Sequence, residues 1–165
     1  LMGPGNPIVL PSQSTHVEHE AEIAVVIGTR LRRASEQAAM EGVRGFACLN
    51  DVTARDWQKR ETQWARAKGF DTFCPVGQDV VGGLDWVDLE VIGRVNGQVR
   101  QHGRARDMAF SIPFLLSHIS QFMTLEPGDL VATGTPAGVG RLAPGDVVEV
   151  EIPGVGVLAN PVVAE

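Results

Sequence analysis

At 165 residues, 44% of them hydrophobic and 21% charged, the chain has the size of one domain and the composition of a globular protein whose core needs no disulfides. A net charge of −6 argues against nucleic acid as the main partner, because phosphate binding needs clustered Lys and Arg. No apolar run reaches the ~18 residues of a membrane span and no signal peptide is evident. The two cysteines, Cys48 and Cys74, form no C-x-x-C pair, so both are expected to pack as free thiols in a reducing, cytoplasmic compartment.

Residues 1–16, with Gly3, Pro4, Gly5, Pro7 and Pro11, read as an irregular lead-in. Alternating Ala21, Ile23, Val25 and Ile27 predict a strand over 17–28. Arg30, Arg32 and Arg33 then fall in a solvated turn, and Ser35 is placed to cap a short helix reaching Gly42, with Glu36 in its first turn. Residues 46–49 are a short apolar strand, and Asp51 or Thr53 caps a helix ending near Lys59. Residues 61–80, containing Gly69, Pro75 and Gly77, are loop-like. Strands are expected over 89–95 and 98–101 around an Asn96-Gly97 type I′ turn. Ile112, Leu115, Leu116, Ile119 and Met123 place one apolar face on a helix over 112–122. Two Pro-Gly-Asp turns, within 125–129 and 142–146, each launch a strand, over 130–133 and 147–152, and a last strand covers 157–163. The fold class is therefore mixed α/β, mainly β, with a few helices packed outside one domain.

Glu20 and Glu22 lie two apart on the first long strand, so they share a face at the entrance to an apolar run. Two adjacent carboxylates repel unless a cation or protons intervene, although solvated acids at a strand that has yet to enter the core account for the same pattern. Asp51 sits between a strand end and a helix, a position that suits either a binding site or an N-cap. Three carboxylates form an all-oxygen set that favours Mg²⁺, Mn²⁺ or Ca²⁺ over zinc. His16 and His19 lack the spacing of a helical zinc motif.

Six segments carry a more specific signal: EHEAEIAVVIG at 18–28, NDVTARDWQ at 50–58, AKGFDTFCPVG at 67–77, VNGQVRQ at 95–101, TLEPGDLVATGTPAGVG at 124–140 and PGDVVEVEI at 144–152. In this order, and over essentially all of residues 8–165, the chain resembles the fumarylacetoacetate hydrolase family. The stretch RAKGFDTFCPVG is most similar to the branch of 2-hydroxyhepta-2,4-diene-1,7-dioate isomerases and 5-carboxymethyl-2-oxo-hex-3-ene-1,6-dioate decarboxylases. The resemblance implies a β-roll or barrel-like catalytic core, a homodimer, and Mg²⁺ or a similar ion on Glu20, Glu22 and Asp51. It further implies catalytic or substrate-binding roles for Arg55, Gln58 and Lys68, and a substrate-binding role for Thr135.

Arg55 and Gln58, three apart, share a helix face, and Arg55 is placed to bind a carboxylate or, alternatively, to pair with Asp56 or Glu61. Lys68 is expected to have its ammonium form disfavoured near a metal and so to move protons, or else to be a surface lysine paired with Asp71. The glycines of the 133–138 loop let the backbone approach an anion, or make a plain turn. Trp57, Trp64 and Phe73 line a pocket or belong to the core.

Such a site suits a small-molecule 2-oxo or 2-hydroxy-enoic diacid isomerised or decarboxylated through a stabilised enolate, as in aromatic-compound catabolism. The alternatives are an acylpyruvate or fumarylpyruvate C–C hydrolase, an oxaloacetate decarboxylase, or a non-catalytic metal- or oxo-acid-binding homologue. The family's upstream N-Y-x-x-H-x-x-E lid segment does not occur in residues 1–165, which are expected to form the catalytic domain without that lid. Either that segment precedes Leu1 or the protein lacks it, and only in the second case is hydrolysis disfavoured.

Overall fold

The computed structural model describes residues 1–165. The strand expected over 17–28 is two strands, β2 (Val17–His19) and β3 (Ala21–Ile27), following a β1 (Ile8–Leu10) inside the lead-in that sequence patterning left irregular. The chain continues through α1 (Glu36–Glu41), β4 (Val43–Asn50), β5 (Thr53–Ala54), α2 (Arg55–Arg60) and α3 (Ala65–Lys68). It ends with β6 (Glu90–Val95), β7 (Gln98–Arg104), α4 (Ile112–Phe122), β8 (Leu130–Ala132), β9 (Gly140–Arg141), β10 (Val147–Ile152) and β11 (Gly156–Ala164). Sheet dominates, as composition and patterning indicated. The strands form three sheets, ordered β1-β11-β10-β6-β7, β5-β2-β9 and β4-β3-β8, and none closes on itself. The β1–β11 pair is parallel and the rest are antiparallel.

The central element is β3, all of whose seven residues are buried. Its odd-numbered side chains, Ala21, Ile23, Val25 and Ile27, enter the main core with Leu116 of α4, Val91 of β6 and Val150 of β10. On the opposite face Ala24 and Val26 pack with Ala47 and Leu49. A strand buried on both faces explains the uninterrupted apolar run after Glu22. A second core, built from Ile8, Val52, Phe73, Val95, Val148 and Val162, closes the other end of the five-stranded sheet.

Several local expectations need correction. Ser35 does cap α1, accepting from Ala38 N, but neither Asp51 nor Thr53 caps α2. Its N-cap is Ala54, without a side-chain bond. The reason is electrostatic: a nearby ammonium, described below, offers the Asp51 carboxylate a stronger partner than a backbone N–H. Within the loop expected over 61–80, α3 forms a single turn, too short to leave a periodic signal. Met123 is 56% exposed and does not join the buried face of α4, which consists of Ile112, Leu116 and Ser120. Of the aromatic candidates, Phe73 is core, Trp57 packs beside it, and Trp64 is 53% exposed.

The turns follow sequence closely. Asn96 and Gly97 both have positive φ, 52° and 74°, as type I′ requires. In each Pro-Gly-Asp turn the Asp N–H closes the turn, onto Glu126 O and Ala143 O, while the Asp carboxylate accepts from the turn's first N–H at 2.8 Å. At Gly138, φ is +101° and a Cβ would lie 2.0 Å from Arg100 O. Strain of this kind costs about 1–3 kcal/mol before the clash is added. Gly138→Ala is therefore expected to lower the unfolding free energy by at least that amount in urea titration; unchanged stability would contradict this close packing against β7.

Candidate functional site

The changeover between sheets creates the site. β2 belongs to one three-stranded sheet and β3 to another, and Glu20 is the residue between them. Its backbone is held on both sides by the end of β4: Glu20 N donates to Asn50 Oδ1, and Asp51 N donates to Glu20 O, both at 2.9 Å. Glu22, on β3, points away from the main core because its neighbours Ala21 and Ile23 point into it. The result is that Glu20, Glu22 and Asp51 converge, with one carboxylate oxygen from each lying within 4.8 Å of the others. Glu20 and Glu22 are 7% and 3% exposed, which rules out freely solvated acids.

Two cations lie against this cluster. Arg55, at the first position of α2, donates from Nε to Glu18 Oε2 at 2.7 Å and from Nη2 to Glu20 Oε1 at 2.6 Å. Its Nη1 donates to Gln58 Oε1 at 2.9 Å, across the shared helix face anticipated from their spacing. Lys68, at the end of α3, donates to Glu20 Oε2 at 2.9 Å, to Thr53 Oγ1 at 3.1 Å and to Asp51 Oδ2. Asp56 instead accepts from Ser14 and Thr15, and Glu61 pairs with Arg66, so neither competes for Arg55.

The 133–136 loop, which follows β8, closes another side. Gly134 N donates to Glu22 Oε2 at 2.8 Å. The Thr135 hydroxyl does not face the carboxylates; it donates to Ala21 O at 2.9 Å and accepts from Gln101 Nε2 at 2.7 Å. The loop therefore meets the acids through the Gly134 amide. A cavity of about 360 Å³ lies on the loop's other side, lined by Ile23, Val91, Leu115 and Phe110. Ile23 and Glu22 face opposite ways on β3, so the cavity and the carboxylates meet only through the 133–136 loop, which also lines the cavity.

The electrostatics follow from burial. Desolvation pushes the Glu22 carboxyl up to about 7, opposed by the Gly134 amide and reinforced by Asp51 and Glu20. Burial likewise raises Asp51, with Lys68 partly offsetting it. Burial works against the charged forms of Lys68 and Arg55, but their bonds to Asp51, Glu20 and Glu18 outweigh it, so both hold their protons above the usual range. The Lys68 ammonium sits directly against Glu20 and Asp51, two of the acids that the resemblance assigns to the ion. Burial opposes the Glu18 carboxylate as well, yet Arg55 and His16 bring its pKa below the usual value.

With all four ionised, Glu18, Glu20, Glu22 and Asp51 outnumber Arg55 and Lys68 by two negative charges, and His16 stands beside Glu18 as a further partner. One divalent cation would balance them, and the all-oxygen donor set suits a hard ion. Sequence reasoning missed two participants, Glu18 and Gln101, whereas the Gly134 amide is the backbone approach expected of the 133–138 glycines. The Glu18-x-Glu20-x-Glu22 alternation was a usable signal for the first; Gln101, on β7, is brought to the site by the packing of β7 against the loop.

The sequence pattern described as "Fumarylacetoacetate (FAA) hydrolase C-terminal" matches residues 1–163. The chain is 46% identical to the crystal structure of 5-carboxymethyl-2-hydroxymuconate delta-isomerase from Mycobacterium smegmatis, with a TM-score of 0.96, covering 99% of this chain and 65% of that one. It is 43% identical to the human mitochondrial oxaloacetate tautomerase FAHD2A, over 99% of this chain and 55% of that protein. It is 45% identical to 2,4-didehydro-3-deoxy-L-rhamnonate hydrolase of Sphingomonas sp. strain SKA58, over 92% of this chain and 58% of that protein. The chain therefore spans less than two thirds of the length of these relatives.

An acid whose folded pKa lies above its unfolded value contributes stability that is complete below the unfolded pKa, 4.5 for Glu22, and is lost as pH rises through the folded one, about 7. In EDTA, raising the pH from about 5 to about 8 should cost the wild type roughly 2–3 kcal/mol more than it costs Glu22→Gln. Parallel urea-stability profiles for the two proteins would show that Glu22 is not the group responsible.

Proposed function

The chain belongs to the fumarylacetoacetate hydrolase family, and on that premise we propose a divalent-cation-dependent enzyme acting on a 2-oxo or 2-hydroxy-enoic diacid by isomerisation or decarboxylation. The observation that carries this reading is the convergence of Glu20, Glu22 and Asp51 beneath two fixed cations. Relatives named as an isomerase and a tautomerase support a reaction that moves protons and double bonds, and the hydroxymuconate isomerase supports a diacid from aromatic catabolism. The relative named as a hydrolase keeps acylpyruvate C–C hydrolysis as the alternative.

Glu20, Glu22 and Asp51 would hold Mg²⁺ or Mn²⁺, which when bound supplies a Lewis acid to the oxygen on which enolate charge collects. The protein's own groups divide the remaining work. Arg55 is oriented by Glu18 and Gln58, so its guanidinium is fixed in direction before a substrate carboxylate arrives. Lys68 Nζ, held beside the acids by Glu20, Asp51 and Thr53, would be the group that exchanges a proton with an enolate carbon. The 133–136 loop presents backbone amides beside Glu22 and restricts where the substrate's remaining atoms can lie.

The test is turnover of a panel of 2-oxo diacids and acylpyruvates, with Mg²⁺ and with EDTA. Diacid isomerisation or decarboxylation that requires Mg²⁺ is expected. Absence of all turnover together with tight Mg²⁺-dependent oxalate binding would replace this reading with the non-catalytic binding homologue. In the same assay Arg55→Met should lower kcat/KM by roughly 100-fold, the equivalent of one charge-assisted hydrogen bond of about 2–3 kcal/mol. Mg²⁺ at about 100 times its Kd should stabilise the wild type by about 2.7 kcal/mol, or roughly 5–10 °C in Tm, and should leave Glu20→Gln unmoved.

A further inference from the structure

Gln101 lies at the end of the VNGQVRQ segment, is 1% exposed, and touches none of the three converging carboxylates. All four hydrogen-bonding positions of its carboxamide are filled. Oε1 accepts from Ala21 N at 3.0 Å and contacts His19 Nδ1 at 2.9 Å. Nε2 donates to Thr135 Oγ1 at 2.7 Å and to Pro136 O at 2.8 Å.

The direction of each bond is fixed by backbone groups that have no choice. Ala21 N–H can only donate and Pro136 O can only accept, so the amide cannot be flipped. His19 must then carry its proton on Nδ1, which leaves its buried Nε2 as a bare acceptor with no protein partner. Thr135 Oγ1, accepting from Gln101, must send its single proton to Ala21 O. The space for this side chain is made by two glycines: a Cβ on Gly93 would lie 3.0 Å from Gln101 Oε1, and one on Gly138 would lie 3.4 Å from Gln101 Cγ.

We propose that Gln101 is a positioning residue that locks the 133–136 loop onto β3 and thereby holds the Gly134 amide on Glu22. It links two elements that the sequence keeps far apart, β7 and the loop after β8, at the point where the loop meets the acids. With the loop released, Glu22 loses the amide that orients its carboxylate, and the cation site loosens without any change in its carboxylates. Groups that orient ligands in this way typically change metal affinity by roughly 10–100-fold when removed. The inference rests on the carboxylate cluster being a cation site, as proposed above.

The experiment is calorimetric titration of Mn²⁺ into wild type, Gln101→Met and Thr135→Val, each verified as folded by circular dichroism at the titration temperature. Gln101→Met should weaken Mn²⁺ binding by roughly 10–100-fold. Thr135→Val, which removes one bond of the lock, should weaken it by about threefold or more, and the double variant should resemble Gln101→Met because the two act in one chain. Should Gln101→Met fail to fold, Thr135→Val carries the test alone. Mn²⁺ affinity unchanged in the folded variants, with only Tm lowered, overturns the positioning role and leaves the cation site standing. A wild type that binds no Mn²⁺ overturns both readings together.

Discussion

The structure is organised around the desolvation of acids. Removing a carboxylate from water costs several kcal/mol unless charge and hydrogen bonds replace the lost hydration. Here the cost is met by assembly: Arg55 spans Glu18 and Glu20, Lys68 spans Glu20 and Asp51, and Gly134 attends Glu22. Each of these groups comes from a different element, so the elements must dock before the acids are satisfied. The sheet changeover at Glu20, the unconventional start of α2 and the single turn of α3 are local irregularities that deliver those groups.

Much of this was legible in the sequence. The apolar alternation of β3, the Asn96-Gly97 hairpin and the amphipathic α4 are local patterns, and each formed nearly where expected. The ordered motifs also led to the acids and to Arg55, Gln58 and Lys68, and the fold brings all six together. What local pattern could not provide was competition between partners. Asp51 is a good N-cap by residue type, and only the arrival of Lys68, seventeen residues later, decides against it. Nor could local pattern place the Thr135 hydroxyl, which donates to Ala21 O and accepts from Gln101.

The two faces of β3 separate two environments that a search for concavity would merge. On one side is a cavity of about 360 Å³, bordered by Ile23 and by Leu115 of α4. On the other is the ionic cluster of Glu20, Glu22, Asp51, Arg55 and Lys68. The 133–136 loop lies between them, and its position is set by Glu22, which accepts from Gly134, and by Gln101, which donates to Thr135 and Pro136. A rigid partition explains why the glycines around Gln101 have so little room for a side chain of their own.

The parallel pairing of β1 with β11 reaches beyond the site. Ile8 is in register with Val162, and β1 has no other strand neighbour. On the ribosome β1 emerges long before its only partner exists, so it must wait, unpaired, for nearly the whole of this domain to be translated. The second core, which contains both Ile8 and Val162, can close only after that. Vectorial synthesis therefore completes the β3 sheet and its acids before the outer sheet is sealed, and a ribosome-stalled chain ending short of β11 would expose an apolar edge for a chaperone to hold.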